Sequence, residues 1–191
     1  MEIHINKDGG TNFLSFYNIS NPGLIVLLVD QTNYHGNFNS ISKDVNNFIS
    51  NLIISNVGSE GKIKDRCYLK LIVYTDEKYK ISEGWLSFFA DNPSKIEKVK
   101  RNFSDATGNL VEIETEEPIW IEDEQIGSYP RNIDFIEKQI IEWHSNKNNE
   151  YPESIIVHFY KDEKNEIAQL VRIFVDSKLI FKRPILTEKI I

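Results

Sequence analysis

The sequence predicts an α/β protein built on an open, mostly parallel sheet flanked by helices. Three observations carry this expectation. Residues 23–29 form an apolar run without polar alternation that ends in Asp30, the pattern of a strand buried on both faces. Ile41, Val45, Phe48, Ile49, Leu52 and Ile53 then recur at the spacing of an amphipathic helix. Far downstream, Ser154 to Tyr160 repeats the apolar run and closes on a second acid, Asp162. In sheets of this kind ligands bind beyond the carboxyl ends of the strands, so Asp30 and Asp162 stand where function is expected.

Composition sets the bounds. A chain of 191 residues is read as one domain, 1–191, long enough to bury a core. The net charge of -7, with basic residues scattered among acids, excludes the clustered Lys and Arg that phosphate neutralisation needs. No nucleic-acid partner is expected. Cys67 is alone, so neither a disulfide framework nor a cysteine zinc site is available. Met1 to Asp8 lacks the basic and apolar regions of a secretory leader, and no apolar run is long enough for a membrane span. The expected location is cytoplasmic, with no membrane partner. The richness in Asn, Lys and Ile suits a bacterium with an AT-rich genome.

The elements follow in order. Glu2 to Ile5 and Asn12 to Tyr17 flank Gly9-Gly10 and suggest an N-terminal hairpin over 1–18. A strand is expected over 24–30 and a helix over 40–55, with Ser40 as N-cap. Strands follow at 68–75 and 82–90, the second from Trp85, Leu86, Phe88 and Phe89 interleaved with small and polar residues. Asn92-Pro93 is a helix start, and Ile96, Val99 and Phe103 supply its stripe, with Ala106 to Asn109 as its end. Leu110 to Asp123 reads as an acidic strand or hairpin around Pro118, its glutamates facing solvent. A second helix is expected over 132–146, from Ile133, Ile136, Ile140, Ile141 and Trp143. After the strand at 154–161, a C-terminal hairpin over 167–186 turns at Asp176-Ser177-Lys178.

A buried strand, then Asp30-Gln31-Thr32-Asn33-Tyr34, then an amphipathic helix resembles the first βα unit of a von Willebrand factor A domain, whose motif is Asp-x-Ser/Thr-x-Ser. The resemblance covers about 23–163. It implies that the strands at 24–30 and 154–161 are parallel, adjacent and central, and that those at 68–75 and 82–90 form an edge-side antiparallel pair. In the family the motif holds a divalent cation in a metal-ion-dependent adhesion site. That implies Asp30, Thr32 and Asp162 as positions for Mg²⁺, with a residue from the loop at 128–132. Tyr34 replaces the second serine, and Lys161-Asp162-Glu163 replaces Thr-Asp-Gly, placing a positive charge beside the acids. The expected state is a degenerate adhesion site with no required cofactor.

Other chemistries lack their parts. The haloacid-dehalogenase motif needs a second acid where Thr32 stands. Gly36 is the only glycine between Asp30 and Gly58, which excludes a glycine-rich phosphate loop. His4, His35, His144 and His158 lack zinc spacing; His158, inside a strand, is read as a packed residue and Cys67 as a structural thiol. Tyr34, Trp120 and Tyr129 are read either as exposed aromatics suited to protein recognition or as aromatics folded back onto the sheet edge. The expected function is therefore a non-catalytic protein–protein interaction module or adaptor in a bacterial cytoplasmic complex. Its binding face is the Asp30 side, with Asp30, Thr32, Tyr34, Ser128, Tyr129 and Asp162. The resemblance implies an ATPase, kinase or phosphatase encoded nearby as partner. The alternative is a Mg²⁺-dependent hydrolase using Asp30 and Asp162.

Overall fold

A computed structural model describes residues 22–31, 41–74, 79–104, 108–122, 153–161, 167–175 and 178–186. The apolar run forms strand β1 (Gly23–Asp30), in which every residue is buried. Helix α1 (Ile41–Ile54) follows, then β2 (Cys67–Tyr74) and β3 (Tyr79–Trp85), the short helix α2 (Leu86–Asp91), β4 (Lys95–Ser104) and β5 (Leu110–Ile119). The described chain closes with β6 (Glu153–Lys161), β7 (Ile167–Val175) and β8 (Lys178–Leu186). Six strands make one sheet in the order β3-β2-β1-β6-β7-β8, while β4 and β5 pair only with each other.

β1 lies between two parallel neighbours, Leu27 opposite Leu71 of β2 and opposite Val157 of β6. The expectation that the strands around 24–30 and 154–161 are parallel neighbours at the centre agrees with this register. Alternation then sorts the side chains by face. Ile25, Leu27 and Val29 join Leu69, Leu71, Ile155, Val157 and Phe159 on one face, where Ile41, Val45, Ile49 and Leu52 of α1 cover them. Phe48 of α1 meets Phe159 edge to face at 5.8 Å between ring centres. Leu24, Val26 and Leu28 occupy the opposite face with Ile156 and Tyr74. That second face also buries Lys70, Ser154, His158 and Arg172, and Lys70 Nζ lies 3.0 Å from Glu83 of the edge strand.

Several expectations are corrected. The mostly parallel, helix-flanked sheet of a von Willebrand factor A-like fold is overturned. Only β1–β2 and β1–β6 are parallel, whereas β2–β3, β6–β7 and β7–β8 are antiparallel. Strands dominate the described residues, which hold just two helices. The reason is connection length: β7 and β8 are two residues apart, which permits a hairpin but no helical crossover. The strand expected at 82–90 stops at Trp85, and Leu86–Asp91 is helical. Asp65 decides this change by accepting hydrogen bonds from the Ser87 backbone (2.9 Å) and hydroxyl (2.7 Å), capping the new helix from a distant loop. The helix expected from Asn92-Pro93 is instead the strand β4, whereas the acidic stretch takes the strand form of its two expected readings and runs through Pro118 as β5. The expected N-terminal hairpin at 1–18 and helix at 132–146 lie outside the described residues.

Leu27 is fully buried between its two strand neighbours. Replacing it with Asp strands a charge there, and the expected outcome is loss of the cooperative thermal transition by circular dichroism. Leu27→Ala should retain the transition at a cost of about 2–5 kcal/mol.

Candidate functional site

The carboxyl end of β1 divides two neighbouring polar residues between the two faces of the sheet. Asp30 is 1% exposed and lies opposite Tyr74 in register, on the face that carries Leu28 and His158. Tyr74 reaches across β1 so that its hydroxyl and Nε2 of His158 form a buried hydrogen bond of 2.6 Å. The Tyr160 ring lies 5.2 Å from the imidazole, extending an aromatic cluster along this end. A tyrosine–histidine couple can serve acid–base chemistry. Here His158 is 1% and Tyr74 5% exposed, and the hydrogen bond ties β2 to β6 over the central strand.

Gln31, one residue on, points the other way. Its Nε2 donates to Ser42 Oγ (3.1 Å) and to the backbone carbonyl of Glu122 (2.6 Å). Glu122 follows the end of β5, so the Asp30 end is where the β4–β5 pair is rooted. Asn46 of α1 completes that root. Its Oδ1 accepts from the amides of Trp120 (2.9 Å) and Ile121 (3.2 Å), and its Nδ2 donates to the Ile121 carbonyl (2.9 Å). Trp120 Nε1 donates to the carbonyl of Phe89 in α2, and Ser94 Oγ donates to the Trp120 carbonyl, both at 2.8 Å. Trp120 is thus a buried anchor, and of its two readings the exposed recognition aromatic is corrected. Its indole finds apolar cover and a carbonyl between α1 and α2, which outweighs exposure.

From this root β4 and β5 extend as an arm of ten residue pairs, about 34 Å long at 3.4 Å per residue. One face carries Ile96/Pro118, Lys98/Glu116, Lys100/Glu114, Asn102/Glu112 and Ser104/Leu110. Diagonal ion pairs join Lys98 to Glu114 (3.1 Å) and Lys100 to Glu112 (2.7 Å) across it. Surface pairs of this kind each contribute under about 1 kcal/mol, yet four basic and four acidic positions on facing strands set the register. The other face carries Lys95/Ile119, Glu97/Glu117, Val99/Thr115, Arg101/Ile113 and Phe103/Val111. Toward the tip that face is apolar and open to solvent, with Phe103 44%, Val111 43% and Ile113 46% exposed. Gly108, with φ of 89°, supplies the left-handed backbone between the two strands.

Of the residues singled out from sequence, only Asp30 falls among those described. Thr32, Tyr34, Ser128, Tyr129 and Asp162 lie outside them. Among the described residues no group of three or more His, Cys, Asp and Glu side chains is placed to hold a metal ion. The cleft beside the arm's root runs from Leu71 and Val73 to Ser82 and Ser94, and Lys80 is its one ionisable lining residue among those described. His158 is packed inside its strand, as read, but its bond to Tyr74 joins residues 84 positions apart and had no local signal. Asn46 was legible only as a polar interruption in the α1 pattern. Cys67 is buried, as expected for a structural thiol, and burial, reinforced by the Asp65 carboxylate, pushes its pKa up to about 12.

No family model matches this chain, and neither a curated protein nor a solved structure matches it. Among the described residues no helix is long and apolar enough to cross a membrane.

Asn46→Ala removes the partner of two buried amides and a carbonyl at once. The expected cost is roughly 2–4 kcal/mol, read from urea denaturation. Asn46→Asp can still accept from both amides but cannot donate to the Ile121 carbonyl, so it should fall between the two. Cys67, with its thiolate disfavoured, should stay unreactive toward a thiol-specific disulfide reagent at pH 8 and react fully in denaturant.

Proposed function

We propose that this protein is a non-catalytic interaction module of a bacterial cytoplasmic complex. It contacts a protein partner at the Asp30 side of the sheet, with the β4–β5 arm as the contact element. The observation that carries the reading is the joining of two features at one place. The end of the central strand is hydrogen-bonded through Gln31 to the chain that leaves the arm, and the arm turns an apolar face to water. Polar groups near Asp30 that could serve chemistry are engaged in holding the scaffold: Gln31 on Ser42 and Glu122, Tyr74 on His158. Exposed aromatic and β-branched residues on a surface element are the usual core of a recognition patch, and each such anchor contributes about 1–3 kcal/mol.

A photo-crosslinking residue placed in cells at Val111, with a second variant at Ile54 as an exposed control on α1, tests this reading. Adducts are expected from the arm position and not from Ile54, and Ile113→Ser should reduce them without changing the melting temperature. Equal labelling from both positions, or none from Val111, would remove the arm as the contact element. Adduct formation should persist in chelator, because the proposed contact is apolar; its abolition would restore a cation-dependent mode.

A further inference from the structure

We propose that the apolar face of the β4–β5 arm docks on the same face of a second copy of this chain. This rests on the reading of the arm as the contact element and names its partner. The two arms lie antiparallel, face to face, about a two-fold axis at the Val99/Thr115 row.

Charge selects this arrangement. The arm face holds a like-charged cross-strand row, Glu97/Glu117, separated from the tip row Phe103/Val111 by the two rows Val99/Thr115 and Arg101/Ile113. Like charges directly opposite destabilise a strand pair. Arg101 pairs with Glu117 within the chain, while Glu97 is 3.8 Å from Lys95. With the axis at Val99/Thr115, the Arg101 row of one copy lies over the Glu97 row of the other, twice by symmetry. Arg101 then faces Glu97 of the second copy, and Phe103 covers the alkyl stem of Lys95 while Val111 covers Ile119. A parallel arrangement of the arms would instead stack the two Glu97/Glu117 rows, placing four carboxylates in one layer. Pairing by the open edges is opposed for the same reason. β4 carries Lys95, Lys98, Lys100 and Arg101, and β5 carries Glu112, Glu114, Glu116 and Glu117, so a β4–β4 or β5–β5 edge contact sets like charge on like.

The wider charge distribution agrees. The chain has a net charge of -7, whereas the arm strands together carry four basic and five acidic residues, so two copies meet there with little net repulsion. Area sets the strength. Two strands of ten residues present a face of roughly 340 Å², or about 700 Å² over both copies, below the ~1,200 Å² of stable complexes. The dimer is therefore weak and transient, forming at high local concentration.

Sedimentation equilibrium of the full chain, from low micromolar to near-millimolar concentration, tests the proposal. The mass should rise toward twice that of the monomer and level off. Arg101→Glu and Glu97→Lys, each alone, should weaken the dimer by roughly fivefold or more, and the two together in one chain should restore it. Restoration separates a contact between copies from damage to the fold, which unchanged melting of each variant checks. A monomer at every concentration, single variants that change nothing, or mass that grows without a plateau, as edge-to-edge addition would give, each overturns it. If the chain stays monomeric while a photo-crosslinker at Val111 captures another protein, self-docking fails and the interaction reading stands. If neither occurs, both fail.

Discussion

Every other element takes its place from the burial of β1 with parallel partners on both sides. A strand that is 0–2% exposed along its apolar length must have each backbone group paired and each face covered. β2 and β6 satisfy the first demand and α1 satisfies the second on one face. With β1 central, its carboxyl end becomes a meeting point for residues distant in sequence. Tyr74 and His158 arrive there on neighbouring strands, and Gln31 leaves it toward α1.

The arm depends on that meeting point through a small number of directed hydrogen bonds. A two-stranded hairpin alone is marginally stable in water. This one is held at its root by Asn46, whose single amide group makes three bonds, and by the buried Trp120 indole. Along its length cross-strand ion pairs set the register, while the tip of one face stays apolar at Phe103, Val111 and Ile113. Stability is thus concentrated at the root, and the part that can meet another molecule is the part that adds least to the core. That separation allows the exposed face of the arm to change without unfolding the sheet.

The same burial governs the polar side chains at the end of β1. A catalytic acid–base pair needs access to a reactant, whereas the Tyr74–His158 bond is buried and spans the central strand. Lys70 is likewise held by Glu83 on the edge strand. These polar groups on the second face specify how strands stack side by side, which is a structural task.

The sequence by itself determined what local periodicity can encode. The unbroken apolar run from Gly23 to Val29 announced a central strand, and the stripe from Ile41 to Ile53 announced α1, because each pattern is complete within its own segment. The run at 154–160 and the pairing of the two segments within 167–186 were legible for the same reason. Only the tertiary structure decided the state of Lys95–Ser104. Ile96, Val99 and Phe103 fit a helical stripe as well as a strand, and the choice came from Glu112, Glu114 and Glu117 on a partner strand. Nor could the sequence decide the pairing of β7 against β6, the burial of Trp120, or the joining of Tyr74 to His158. Those outcomes rest on contacts between residues far apart in the chain, which no local pattern records.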